Sequence, residues 1–351
     1  MSYMRAAIQA LDAYVPGEQP RDQGWVKLNT NENPYPPSPA AVAAGARALE
    51  TAHLYPDPLC TELCATAARV YGLAPAQVFA GNGSDEVLNL LVRMTAAEGA
   101  LVASFRPSYT LYPTLAAIQG ATYRAWDFDG AYRLPETPPV SGAAIVFLPN
   151  PNSPSATIVP LETIRDLCRA ATGLVVVDEA YADFAQENAL GLLGEFDNLV
   201  ITRSFSKSYA LAGLRVGLAL AAPEVIDALL KIKDSYNLDA VAQAAATAAL
   251  ADEAYLSKTV ATILATRDRL CAGLDAQGFE VYPSQANFVL ARVPSDRGPG
   301  AREVYEALKA RRILVRYFDA PRLDDCLRIT VGTDAQTDQL LDALQEIIAK
   351  K

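Results

Sequence analysis

Short apolar runs and longer helix-periodic stretches take turns along most of this chain. Leu174-Val175-Val176-Val177 is the clearest run, and similar ones predict strands at Leu101–Ser104, Thr122–Trp126, Ala144–Leu148, Leu199–Thr202 and Val216–Ala221. Between and before them, apolar positions recur at helical spacing over Ala40–Glu50, Leu59–Tyr71, Asp85–Ala97, Thr110–Gln119 and Leu161–Ala171. Strands separated by helices imply a mostly parallel sheet covered on both faces, an α/β fold.

The pattern changes at both ends. Tyr3 to Pro37 is rich in Pro, Asn and Gly and reads as an arm with loops. After Pro223 helices dominate, with an alanine-rich one over Val241–Leu250 and a long one from about Glu253 to Gln277 that suits a connector. Beyond it, predicted strands at Phe279–Tyr282, Asn287–Val293, Leu314–Tyr317 and Leu327–Val331 alternate with helices at Ala301–Arg311 and Thr337–Ile348. The segment Ser295-Asp296-Arg297-Gly298-Pro299-Gly300 reads as a surface loop. A length of 351 residues favours two packed units over one core. The expected division is an arm (1–39), a large domain with the parallel sheet (40–240), and a smaller C-terminal α+β domain (241–351).

Composition narrows the function classes. The chain is 51% hydrophobic and 20% charged, as a globular enzyme would be, and its formal net charge of −10 disfavours a nucleic-acid partner. An anionic small molecule is still accommodated, because arginines gathered in a cleft act locally. The five cysteines (Cys60, Cys64, Cys168, Cys271, Cys326) are scattered, and His53 is the sole histidine, so the expectation is reduced thiols and no metal. No apolar stretch is long enough for a membrane span, and the first residues lack a secretory pattern; a cytoplasmic location is expected.

Candidate chemistry concentrates at the ends of the predicted strands. Ser204-Phe205-Ser206-Lys207-Ser208 follows Leu199–Thr202 and places a lysine between hydroxyls, with Arg215 eight residues on. Asp178-Glu179-Ala180-Tyr181 closes the valine run, on the same edge of the sheet, at the carboxyl ends where ligands bind. Gly81-Asn82-Gly83-Ser84-Asp85-Glu86 opens a predicted helix whose amino end would attract an anion, with Ser84 or Asp85 as its cap. An amine able to condense with an aldehyde, a carboxylate beside a protonated ring and a cup for phosphate are the three handles of pyridoxal phosphate. Lys207 supplies the amine, Asp178 the carboxylate, and Ser84, Asp85, Ser204, Ser206 and Arg215 the cup. Tyr181 would reach the ring's phenolic oxygen and Tyr109 would stack on its face. Each element alone is commonplace; their joint order is what points to the cofactor.

With these motifs in view the chain resembles the fold-type I, pyridoxal-phosphate-dependent aminotransferases along almost its whole length. Leu28-Asn29-Thr30-Asn31-Glu32-Asn33-Pro34 and Cys326-Leu327-Arg328-Ile329-Thr330-Val331-Gly332 resemble the histidinol-phosphate group within them. The resemblance implies the cofactor roles just given. It further implies that Tyr55, in Tyr55-Pro56-Asp57, reaches the cofactor phosphate of a second subunit, so that a homodimer shares its sites. It implies Arg328 and Arg316 on the anionic end of the substrate, with Tyr14 and Asn31 at the substrate pocket. The chain departs from the usual Asn-Pro-Asn-Asn-Pro-Thr-Gly at Asn150-Pro151-Asn152-Ser153-Pro154-Ser155-Ala156. Asn152 is expected to bind the phenolic oxygen, with Ser153 as its competitor, and Ala156 suggests a turn without positive φ. The implied reaction moves an amino group from histidinol phosphate to 2-oxoglutarate, a step of histidine biosynthesis. Two rivals stay open: an aromatic amino acid aminotransferase and a threonine-phosphate-type decarboxylase.

Overall fold

In a computed structural model of the chain, residues 3–13, 17–135, 138–294 and 298–349 are described. The apolar runs do form a sheet, of seven strands in the spatial order Val78–Asn82, Val216–Ala221, Leu199–Ser204, Leu174–Asp178, Ala143–Pro149, Leu101–Arg106 and Thr122–Asp127. Val216–Ala221 runs antiparallel to both neighbours, and the other pairings are parallel. Val175, Val176 and Val177 are all fully buried. Helices cover both faces, so these strands need no alternation of polar and apolar residues. The strand Val78–Asn82 has no counterpart among the predicted elements, because Ala80, Gly81 and Asn82 dilute its apolar signal.

A second, four-stranded antiparallel sheet follows the order Arg316–Tyr317, Cys326–Thr330, Phe288–Arg292, Glu280–Val281. Its core takes Leu327, Ile329 and Val289 from the strands, Ile263 and Leu270 from helix Glu253–Ala276, and Leu340 and Leu344 from helix Asp334–Ala349. The expected strand Leu314–Tyr317 is divided. Ile313–Leu314 pairs in parallel with Val26–Lys27 of the arm, and only Arg316–Tyr317 joins the sheet. The arm is therefore stitched to the C-terminal unit, with Leu28 inside that unit's core.

Helix Ala240–Ala251 packs against Pro39–Ala48 and Thr61–Tyr71 and buries Ala242, Ala245, Ala246 and Ala249 in the large core. Small residues let the backbones approach: a Cβ on Gly45 would meet Val241 Cγ1 at 3.4 Å. Asp252 caps the long helix that follows by accepting from Tyr255 N–H.

The turn at Ala156 corrects an expectation. Its φ is +64°, in the left-handed region, held by Ala156 N–H donating to Asn152 O at 2.8 Å and Gln285 N–H donating to Ala156 O at 2.7 Å. An alanine stands there because its methyl is fully buried beside Ala286 and Phe288. All five cysteines are free thiols, and burial pushes Cys60 to about 11 and Cys64 to about 12. Among the described residues no helix is long and apolar enough to cross a membrane.

Candidate active site

Parallel pairing of Leu174–Asp178 with Leu199–Ser204, in a register that sets Asp178 against Thr202, delivers the acid and the lysine loop to one edge. They meet in a cavity of about 510 Å³ whose wall includes Ser84, Asp85, Tyr109, Asp178, Tyr181, Ser204, Ser206, Lys207 and Arg215. Asn31, Ser153, Arg316 and Arg328 line it too, at the side facing the arm and the C-terminal unit.

Asp178 lies at the floor. Its carboxylate accepts from Tyr112 Oη at 3.0 Å and from Thr202 Oγ1 at 3.0 Å. Burial pushes this carboxyl above the ordinary range, while those two hydrogen bonds pull it back. A buried acid of this kind calls for a cationic partner in the cavity. Lys207 Nζ donates to Thr30 O at 3.3 Å and lies 5.6 Å over the Tyr181 ring. Asn33 Nδ2 donates to the carbonyls of Lys207 and Ser208 at 3.1 and 3.0 Å, fixing the backbone that carries the amine.

The residues expected to cup an anion gather where the turn before helix Gly83–Thr95 meets strand Val216–Ala221. Gly83 has φ +78°, and a Cβ on Gly217 would lie 2.3 Å from Ser84 N, so the close approach requires glycine at 217. Neither Ser84 nor Asp85 caps the helix: Asn82 is the N-cap, and the Glu86 carboxylate accepts its N–H. Asp85 instead accepts from Arg215 Nη2 at 3.1 Å and from Tyr109 Oη at 3.0 Å. Burial, then the Asp85 charge, hold the Tyr109 phenol well above its usual range. Arg215, itself left-handed at φ +54°, also donates to Ser206 Oγ at 3.2 Å.

Toward the C-terminal unit, Arg328 donates to Ser153 Oγ at 3.1 Å and to Asn29 O at 3.0 Å. Asn31 Nδ2 donates to Tyr181 Oη at 3.0 Å, and Thr330 Oγ1 donates to Asn31 Oδ1 at 3.1 Å. Two of the expected residues lie off this chain's own cavity wall, and one falls outside the described residues. Asn152 is not on the cavity wall: its amide N–H2 donates to Pro107 O at 3.2 Å and Ser155 Oγ at 2.8 Å, while its neighbour Ser153 faces the cavity. Tyr55 does not line the cavity of its own chain; it is 81% exposed and stacked on Tyr236 at 4.5 Å. Tyr14 lies outside the described residues. Sequence reasoning missed Tyr112, Thr202, Asn33 and Phe318. Tyr112 follows Tyr109 by three and Asn33 belongs to the Asn-rich opening, but Thr202 needs the strand register before it means anything.

Comparison with known proteins agrees with this geometry. The aminotransferase class I and II family matches residues 23–344. The chain belongs to the class I and II aminotransferases. It is 49% identical over 349 residues to the histidinol-phosphate aminotransferase of Syntrophotalea carbinolica, covering 99% of this chain and 100% of that one. The corresponding aminotransferase of Synechocystis is 45% identical over 347 residues, covering 99% of each. Among solved structures, the Sinorhizobium meliloti histidinol-phosphate aminotransferase in complex with pyridoxal 5′-phosphate superposes with a TM-score of 0.89 at 30% identity, over 99% of this chain and 98% of that one.

The aminotransferase works with pyridoxal phosphate, and the residues present fit that group. A buried carboxylate waits for a cationic ring nitrogen, Lys207 offers a primary amine, and a helix amino end with Ser84, Ser204, Ser206 and Arg215 offers an anion cup.

Proposed function

We propose that this aminotransferase takes the amino group of L-histidinol phosphate and passes it to 2-oxoglutarate. The observation that carries the reading is the placement of Arg316 and Arg328 as direct cross-strand partners lining the cavity that also holds Lys207 and Asp178. Two guanidinium forks suit a phosphate in one half-reaction and a carboxylate in the other.

Pyridoxal phosphate, when bound, supplies an electron sink for the electron pair left at the substrate α-carbon. Asp178 holds the proton of the ring nitrogen, and Tyr112 and Thr202 keep that carboxylate aimed. Lys207 Nζ takes the proton from the α-carbon and returns one to the cofactor side, from a backbone clamped by Asn33. Because Asn31 donates to the Tyr181 oxygen, the Tyr181 O–H proton is left to turn toward the phenolic oxygen of the ring. Ser153, already accepting from Arg328, is the adjacent hydroxyl.

Tyr55 belongs in this reading to a partner's site. Its exposure beside Leu54, Leu59 and Tyr236 supports a homodimer in which it completes the phosphate cup across the interface. The enzyme would work in the cytoplasm. Assaying histidinol phosphate, phenylalanine, tyrosine and threonine phosphate against 2-oxoglutarate, with carbon dioxide as a second readout, tests the substrate. Glutamate formed fastest from phenylalanine would replace this reading with an aromatic aminotransferase, and carbon dioxide from threonine phosphate with a decarboxylase. Mixing a Lys207→Ala chain with a Tyr55→Ala chain tests the shared site, since one intact site per mixed dimer should restore activity.

A further inference from the structure

We propose that Phe318 is the positioning residue that makes the arginine pair selective for a phosphate over a carboxylate. The inference rests on the reading that Arg316 and Arg328 bind the substrate anion.

Arg316 and Arg328 are directly opposite on adjacent antiparallel strands. Like charges so placed repel, which breaks a rule that sheets ordinarily obey. What holds them together is a ring within reach of both. The Arg316 guanidinium lies 5.3 Å over the Phe318 ring, and the Arg328 guanidinium lies 5.4 Å from that ring's centre. One aromatic ring thus serves two cations and lines the cavity beside them. Arg328 has further anchors in Phe288 at 5.3 Å, Ser153 and Asn29. Phe288 in turn meets the Tyr181 ring edge-on at 5.0 Å, so the row of rings and cations runs from the cofactor-side tyrosine to Arg316.

The asymmetry in anchoring gives the selectivity. Arg328 is held from several sides and forms a complete fork by itself, enough for the two oxygens of a carboxylate. A phosphate ester carries nearly two charges and three oxygens, and needs the second guanidinium alongside the first. Phe318 is the shared surface that keeps Arg316 there against its neighbour's repulsion. Removing the ring should therefore weaken the phosphate-bearing substrate and leave the carboxylate-bearing one largely alone.

The test compares Phe318→Leu and Phe318→Tyr in the holoenzyme, using histidinol phosphate, 2-oxoglutarate, and inorganic phosphate as a competitive inhibitor. In Phe318→Leu the KM for histidinol phosphate and the inhibition constant for phosphate should each rise roughly five- to thirtyfold, as expected for one or two lost cation–π contacts. The KM for 2-oxoglutarate should rise less than about threefold, and Phe318→Tyr, which keeps the ring, should restore phosphate binding. Equal rises for both substrates, parental constants in Phe318→Leu, or a Phe318→Tyr enzyme as weak as Phe318→Leu would each overturn the assignment. Parental enzyme that ignores histidinol phosphate would instead end the substrate reading, and the inorganic phosphate series would still judge Phe318.

Discussion

Directly beneath the lysine loop lies an ion pair with almost no access to water, and cutting it should cost the fold heavily. Arg203 and Glu179 are 7% and 0% exposed, 2.8 Å apart, and Arg203 also reaches Asp183 at 3.1 Å. The pair joins two consecutive stretches of the site, since Glu179 follows Asp178 and Arg203 precedes Ser204. Ser208, next to Lys207, donates to Asp183 as well. Arg203→Met fills similar space but leaves the Glu179 carboxylate with a backbone N–H from Ala189 and no counter-charge. Stranding a buried charge in this way costs about 3–5 kcal/mol. Burial already pushes the Glu179 carboxyl up, opposed chiefly by Arg203. Without the arginine its folded pKa rises further above the unfolded value. A raised carboxyl keeps its folded-state advantage below the unfolded pKa and loses it as pH climbs toward the folded one, so the variant should be weakest at pH 8 and less impaired at pH 5. Urea unfolding followed by the fluorescence of Trp25 and Trp126 reads the midpoint, and adding Glu179→Gln should recover part of the loss. A loss under about 1 kcal/mol at pH 8, or one that shrinks as pH rises, would refute the reasoning.

Three further outcomes are expected. Asp178→Asn preserves shape while removing the charge and replacing one of the two acceptor oxygens that Tyr112 and Thr202 use by an NH2 donor, so turnover should fall on the order of 10²–10⁴-fold with cofactor still bound; activity within tenfold of parental would take Asp178 out of its role. Gly217→Ala would push a methyl into Ser84 N and Gly83 C, at 2.3 and 2.5 Å, and should destabilise by about 1–3 kcal/mol while weakening cofactor retention in a fluorescence titration; unchanged retention would show that the cup tolerates the shift. In Ala156→Gly, relief of the left-handed strain, about 1–2 kcal/mol, is offset by the lost buried methyl and the freer unfolded chain, so stability should change by less than about 1 kcal/mol. A change above about 2 kcal/mol in thermal unfolding would contradict that balance.

Sequence by itself determined which residues carry charge and chemistry at the ends of buried strands. The valine run before Asp178 and the run before Ser204 state their own ends, because a fully covered parallel strand must be continuously apolar and can turn polar only where it leaves the core. Lys207, Asp178, Tyr181, Arg215 and the glycine turn were legible for that reason. What tertiary structure decided depends on register and packing between distant segments. Thr202 beside Asp178, Arg316 opposite Arg328, Asn31 on Tyr181, and Ser153 rather than Asn152 at the cavity are all set by which residues end up across from one another. For the strand pairs Asp178–Thr202 and Arg316–Arg328, a one-residue shift in pairing would turn the side chains to the other face, and nothing local to the chain encodes the partner's phase.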